Sequence, residues 1–541
     1  MERALLDIPV IVAGGGPVGL ATAYELQSRG IRVLLVERNP TTTRHPKMDV
    51  TNGRSMELFR RMGLAEAIRD AAVPRSSPMD VVWVTRLNEW ELARFPYPDV
   101  DSWRDQIRET NDGSQPLEPY MRLSQVVFEP TLRAFLEQSP LVDVRFGWAF
   151  ESFADDGEGV EVSLREVATG RRETKRCALL AGCDGGGSLV REALGFRWEG
   201  IHNVAPFYMV HFRSEARDLL QRFGIAWHYQ SPSGATLIAQ DDSEIWTLHC
   251  ILPEGAAAEE VVPEQLVFDA LGREFPLEVI QANPWSPHLV LATGYGRGRV
   301  WLAGDAVHQV IPTGGYGMNT GIADAVDLAW KFAAVLAGWG GPALLSSIEA
   351  ERRPVGAGVV EASGGHMQVR FEIANAYDPV IHEATPDGDA ARTRYGELIT
   401  SLGNLENEAR GVELGYRYRH SPIVCTEADE PEWTPRAYVP STWPGARAPH
   451  LFLADGSALF DHFGPWFTLV RFTDEAADAL LSAAAQRGVP IKLLDIRDDH
   501  ARAIYERDFV LVRPDQHVAW RGNAMPDDPL AVIDRIRGAA Q

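Results

Sequence analysis

Residues 8–37 read IPVIVAGGGPVGLATAYELQSRGIRVLLVE. Ile8–Ala13 is an unbroken apolar run, as expected of a central parallel strand covered on both faces. The turn Gly14-Gly15-Gly16-Pro17-Val18-Gly19 follows. Leu20–Arg29 then reads helical, with Gly30 able to cap it, and Arg32–Val36 is a second strand ending at Glu37. The pattern is a βαβ unit whose turn spells G-x-G-x-x-G at Gly14, Gly16 and Gly19. Gly14 permits the tight turn, Gly16 lets backbone approach a pyrophosphate, and Gly19 lets the helix pack on the strand. The helix start at Pro17 faces the phosphates, and Glu37, 18 residues beyond Gly19, can accept both ribose hydroxyls. The turn alone does not separate NAD from FAD. Ile8–Tyr24 is uncharged, but its glycines suit a strand, turn and helix better than a membrane span.

Two segments further on carry related chemistry. Leu179–Cys183 is apolar and runs into Asp184-Gly185, with Ser188 and Arg191 beyond. Val300–Ala303 is another strand, followed by Gly304-Asp305-Ala306, His308, Pro312, Gly314, Gly315, Gly317, Met318 and Asn319 at the start of a long helix. An Asp that ends a strand can hold a ribityl hydroxyl. A glycine-rich helix entry aims backbone N–H groups and the positive helix end at an anion.

Together the three motifs resemble those of the flavoprotein aromatic hydroxylases, the group A FAD-dependent monooxygenases. CDGGGSLVR matches that family's second fingerprint and VWLAGDAVHQVIPTGGYGMNTG its third. The resemblance implies bound FAD, NADPH or NADH as transient reductant, and O2 as co-substrate. The implied activity is hydroxylation of a phenolic or polycyclic aromatic substrate through a flavin C4a-hydroperoxide. It carries Arg38, Lys47, Arg122 and Gln125 across as cofactor-side residues, beside Gly14, Gly16, Pro17, Gly19, Glu37, Asp184, Gly185, Gly304, Asp305, Pro312, Gly315, Gly317, Met318 and Asn319. No second Rossmann fingerprint occurs, which agrees with a family whose nicotinamide has no dedicated domain.

The carboxy-terminal stretch TWPGARAPHLFL, with FGPWFTLVRF and VLVRPDQHVAWR, resembles the thioredoxin-like tail of the phenol and polyketide hydroxylase branch. No C-x-x-C pair occurs, so the tail is read as structural, with a homodimer contact as one use open to it. The implied fold is α/β, α+β in part: a Rossmann-like FAD-binding domain with an inserted antiparallel β-sheet substrate domain and a thioredoxin-like tail. The FAD-binding domain takes residues 1–75, 100–195 and 285–365, and the sheet domain 76–99 and 196–284. A helical linker occupies 366–410, and the tail 411–541.

Signals for the substrate side are thinner. Asp49 stands where one phenol-hydroxylase branch places a His, and it is a candidate base. On the strands PFYMVHF, IAWHYQ, ATLIAQ and EIWTLHCIL, His211 and His249 are further catalytic candidates. Trp227, Tyr229 and Trp246, with Pro312, are candidates for holding substrate. Period-2 alternation puts Trp227 and Tyr229 on one face and His228 on the other. An FAD protein that binds or oxidises an unstable intermediate without hydroxylation shares all these motifs. A halogenase is opposed by the absence of W-x-W-x-I-P and by having only four lysines, and a plain dehydrogenase by the second and third motifs.

The chain's 541 residues and 45% apolar content support several domains with a sizeable core. A net charge of −23 disfavours polyanions and anionic lipid, so neither nucleic acid nor membrane is an expected partner. Cys177, Cys183, Cys250 and Cys425 are scattered with no zinc spacing, so no metal site is expected, and the start MERALLDIPV has no export signal. A reduced, cytoplasmic setting is expected.

Overall fold

The computed structural model describes residues 6–252 and 258–540; the first five residues, on which the export reading partly rests, lie outside the described residues. Ile8–Ala13 is a strand, paired in parallel with Val33–Glu37 on one side and Arg172–Gly182 on the other. Residues Val10–Ala13 are completely buried, Val10 and Val12 against helices and Ile11 and Ala13 against the strands Trp148–Asp155 and Val160–Glu166. The sheet continues through Val142–Phe146 on one side and Val300–Leu302 on the other, both parallel, with Gly296–Arg297 antiparallel at the edge beyond Val300–Leu302. Trp148–Asp155 and Val160–Glu166 fold onto Arg172–Gly182 as an antiparallel ribbon, with the turns at Gly157 and Gly170 in left-handed backbone. Helix Tyr316–Leu336 packs across helix Pro17–Gln27 and beside the 33-residue helix Ala343–Asn375. The linker boundary read at 365/366 falls inside this last helix.

The inserted domain is a seven-stranded sheet in the order Glu278–Trp285, Phe207–Arg213, Ile245–Ile251, Thr236–Ala239, His228–Gln230, Val81–Val84, Glu91–Phe95. Alternation sorts its two faces. Val82, Tyr208, Val210, Phe212, Tyr229, Leu237, Trp246 and Leu248 point into an apolar core closed by helix Pro263–Leu271. The opposite face turns toward the first domain.

The tail is a four-stranded sheet, Ile491–Asp495, Phe467–Arg471, Phe509–Val512, Val518–Gly522, parallel in its first pair and antiparallel in the rest. That order, with a helix linking the parallel pair, is thioredoxin-like. No helix among the described residues is long and apolar enough to cross a membrane, and no cluster of metal-ligating side chains occurs among them.

Candidate active site

The turn after the first strand is fixed by backbone. Gly14 N donates to Val36 O at 2.8 Å and Cys183 N to Ala13 O at 2.7 Å, tying all three central strands together. Gly14 has φ +109°, and a Cβ on Gly19 would fall on the carbonyl oxygen of Gly14. Gly16 caps helix Pro17–Gln27 without any side-chain partner, and the nearest atom a Cβ there would meet is Glu129 Oε1 at 4.0 Å. The helix start is therefore open. Glu37 holds the turn from the second strand, accepting from Gly15 N at 2.8 Å and from Asn39 N at 2.8 Å.

In front of this turn lies a cavity of about 830 Å³. Its wall runs from Gly14, Gly16, Pro17, Glu37 and Arg38 past Lys47 and Gln125 to Asp184 and Gly185. It continues through Asp305, Pro312, Gly315, Gly317 and Met318, and ends at Asp49, Val50, Gln281 and Trp285. Asp184 caps the short helix Leu189–Ala193 with Ser188, whose hydroxyl donates to it at 2.5 Å, and burial pushes its pKa up. Asp305 is exposed toward the cavity but walled by protein, which raises its pKa against the pull of His308 and Lys47. No hydrogen bond reaches its carboxylate among the described residues.

These residues fit FAD. Two helix starts, at Gly16 and at Gly315, offer N–H groups and positive dipole ends to anions. Glu37 stands at the ribose position of the fingerprint, and Asp305 is an acceptor without a protein partner. The cavity is within the range that binds cofactors.

Four cofactor-side candidates lie behind this wall. Gly19 packs on Gly14, and Gly304 (φ +66°) faces Val18. Asn319 spends its side chain on protein: Nδ2 donates to Val50 O and Gly315 O, and Oδ1 accepts from Asn52 N. Arg122, matched above to the cofactor side, is instead buried between domains, donating to Pro78 O, Ala239 O and Asp242. It cannot reach a cofactor in this arrangement.

The sheet end of the cavity corrects the substrate-side readings. Trp227 N and His228 N both donate to Asp80 O, at 2.9 and 3.3 Å, a bulge that breaks the alternation, so Trp227 does not share a face with Tyr229. Tyr229 points into the far core, where its hydroxyl donates to Gly224 O; Trp246 lies in the same core, its Nε1 donating to Ser214 O at 3.3 Å. Neither can touch a ligand in the cavity. Trp227 and His228, in contrast, converge on Asp49: Trp227 Nε1 donates to Oδ2 at 2.6 Å, and His228 Nε2 lies 3.1 Å from the same oxygen. Burial alone would raise the Asp49 carboxyl, but the hydrogen bonds from His228 and Trp227 and the charge of Arg122 outweigh it and hold its pKa below the usual range.

His211 and His249 lie on the face turned toward the first domain, outside the cavity wall. His211 Nδ1 bonds Thr247 Oγ1 at 3.0 Å, and His249 sits edge-on to Trp285 at 5.4 Å. Burial pushes His249 down to about 4 and lowers His211 as well, so His249 is neutral at pH 7. Sequence reasoning places His228 on a face but gives it no role, and it misses Trp285 and Gln281, for which no motif exists.

Two family descriptions match the chain: "FAD binding domain" over residues 7–363 and "Aromatic-ring hydroxylase, C-terminal" over residues 441–540. The FAD-dependent monooxygenase apdD of Emericella nidulans is 37% identical over 97% of this chain and 89% of its own length. The 4-methyl-5-nitrocatechol 5-monooxygenase of a Burkholderia species is 31% identical over 98% and 97% of the two chains. Among solved structures, the rebeccamycin biosynthetic enzyme RebC with reduced flavin superposes with a TM-score of 0.90 at 34% identity, covering 99% of each chain.

Proposed function

The chain belongs to the FAD-dependent aromatic-ring hydroxylases, and on that premise we propose that its substrate is a ring bearing a hydroxyl group received by Asp49 at the sheet end of the cofactor cavity. The reading rests on one observation: a carboxylate at the cavity wall, one oxygen of which takes both ring N–H donors of Trp227 and His228. Such a group stays ionised at working pH and presents its remaining acceptor capacity to a ligand.

Bound FAD supplies the redox chemistry, drawing electrons from NADH or NADPH and activating dioxygen. The protein supplies placement and charge. Glu37 and the open helix start at Gly16 hold the adenosine ribose and the pyrophosphate, and Asp305 accepts a ribityl hydroxyl. Gly315, Gly317 and Met318 present the start of a 21-residue helix to negative charge on the flavin ring. Asp49 accepts the substrate's phenolic hydrogen, which drives electron density into the ring at the carbon to be attacked. Gln281 and Trp285, from the edge strand of the sheet, wall the chamber at that end.

The test uses FAD-loaded protein under air with a panel of mono- and polycyclic phenols. Substrate-stimulated NADPH or NADH oxidation with a product 16 mass units heavier supports the reading. Asp49→Asn is expected to lower kcat/KM by about 10²-fold, in the range of a lost acid–base contact. Bound flavin that neither nicotinamide reduces would overturn hydroxylation.

A further inference from the structure

Outside the cavity, the chain buries a connected set of charges at the junction of its first domain and its tail. Helices Tyr316–Leu336 and Ala343–Asn375 face each other there with Asp324, Asp327 and Lys331 on one and Glu351 and Arg352 on the other. Lys331 Nζ donates to Asp327 at 2.8 Å and to Glu351 at 2.5 Å. From the tail, Arg513 donates to Glu351 at 2.5 and 2.9 Å, to Asp327 at 3.1 Å and to Asp515 at 2.7 Å. The side chains of Arg513, Lys331, Asp327, Glu351 and Arg352 are 0% exposed.

The set leads to the cavity through four contacts. Arg513 lies over the Tyr418 ring at 4.8 Å, and the Tyr418 hydroxyl accepts from Arg352 Nη1 at 3.3 Å. Arg352 Nε donates to Asp324 Oδ1 at 2.7 Å. Asp324 Oδ2 accepts from Gly304 N at 3.0 Å and His308 Nε2 at 2.8 Å. Gly304 is in left-handed backbone, and the next residue is Asp305, which lines the cavity.

Buried ion pairs are poor sources of stability, because desolvation offsets most of their attraction. What a fully satisfied set provides is fixed geometry, and removing one member leaves an uncompensated charge beside its neighbours. A contiguous chain of such contacts is the physical means by which one region can hold another.

We propose that the tail is part of the cofactor site: Arg513 and Arg352 are positioning residues that, through Asp324, fix the Gly304–Asp305 turn where FAD binds. The redox role that a thioredoxin-like domain could have had is replaced by a mechanical one. The inference rests on FAD occupying the cavity.

The experiment titrates FAD into full-length apoprotein, following flavin fluorescence and the visible spectrum, with apoprotein melting temperature measured alongside. Arg352→Lys keeps a charge but loses the planar fork that joins Asp324 to Tyr418. Arg352→Lys and Arg513→Gln are expected to weaken FAD about tenfold or more, one lost charge-assisted contact, and to broaden the bound flavin's absorption bands toward those of free flavin. Asp461→Asn cuts a different tail contact, to Arg60 at 2.6 Å, and is expected to leave FAD affinity unchanged. Should Arg513→Gln not fold, Arg352→Lys decides alone. Wild-type affinity and spectrum in the Arg352 and Arg513 variants, whatever their melting temperatures, would overturn the inference and leave the tail a stability element. Wild-type protein that takes up no FAD would overturn the cofactor assignment as well.

Discussion

A carboxylate that gives one oxygen to two ring N–H donors titrates as those donors dictate. Asp49 stays ionised because Trp227 and His228 hold it so, and the proposed role needs that ionised form. Its activity contribution is therefore present above its depressed pKa and is lost as pH falls through it. Trp227→Phe removes one donor. The carboxyl then rises, by about one pH unit if the lost bond to a charged group is worth about 1.5 kcal/mol. The acid limb of the kcat/KM profile is expected to move up by that amount in Trp227→Phe. Tyr229→Phe is expected to leave the limb in place and cost about 1 kcal/mol of stability, since its hydroxyl serves only Gly224 O in the far core. An unmoved limb in Trp227→Phe would separate Asp49 from the reaction. Asp49 is a candidate in the sequence only through the resemblance, standing where one phenol-hydroxylase branch places a His. Alternation places His228 opposite Tyr229, as found, but it misplaces Trp227, because Trp227 N and His228 N share the Asp80 carbonyl and the bulge turns both side chains toward Asp49.

At the scale of elements, legibility followed backbone constraint. The first strand, its glycine turn and the second strand lie where the sequence places them, because Gly14 and Gly19 answer steric demands of the backbone that no other residue meets. Gly19→Ala would drive a methyl group into the Gly14 carbonyl, a backbone group that cannot turn aside, so the helix must shift from the turn. FAD titration of that variant is expected to show affinity reduced at least about tenfold. Gly30 is a contrast: its φ is +76° but a Cβ would meet nothing within 4 Å. Gly30→Ala is expected to cost only the left-handed backbone penalty, about 1 kcal/mol, with FAD affinity retained. Equal FAD affinity in the two variants would contradict this distinction. The 33-residue helix Ala343–Asn375 was not legible. Pro354 and Gly356, Gly358, Gly364 and Gly365 lower its local propensity, and packing against helix Tyr316–Leu336 and strand Leu289–Ala292 sustains it. Arg122 was misread for a related reason: a motif position fixes where its Cα lies, while the guanidinium follows the strongest acceptor, here Asp242 across the domain boundary.

Over the whole molecule, the net charge of −23 governs the surface, and the interior obeys a separate balance. At the junction with the tail, three carboxylates, Asp327, Glu351 and Asp515, share two cations, Lys331 and Arg513. With one more acid than bases and every one of these side chains buried, the set favours a proton held on one of its acids. Burial pushes Asp327 up to about 7, with Glu351 and Asp515 adding to the rise and Lys331 and Arg513 opposing it. An acid whose folded pKa is raised above its unfolded value of about 4 contributes stability in full only below that unfolded value. The contribution falls away as pH climbs through about 7. Asn at this position keeps the shape of the protonated acid and has nothing to ionise. Asp327→Asn is therefore expected to narrow the fall in melting temperature between pH 5.5 and 8.5, by about 1 °C for each kcal/mol of ionisation cost removed in a chain of this length. A variant whose melting temperature falls as steeply as wild type over that interval would place the proton elsewhere in the set. Because Asp327 touches Arg513, the same proton stands at the junction through which the tail is proposed to hold the Gly304–Asp305 turn.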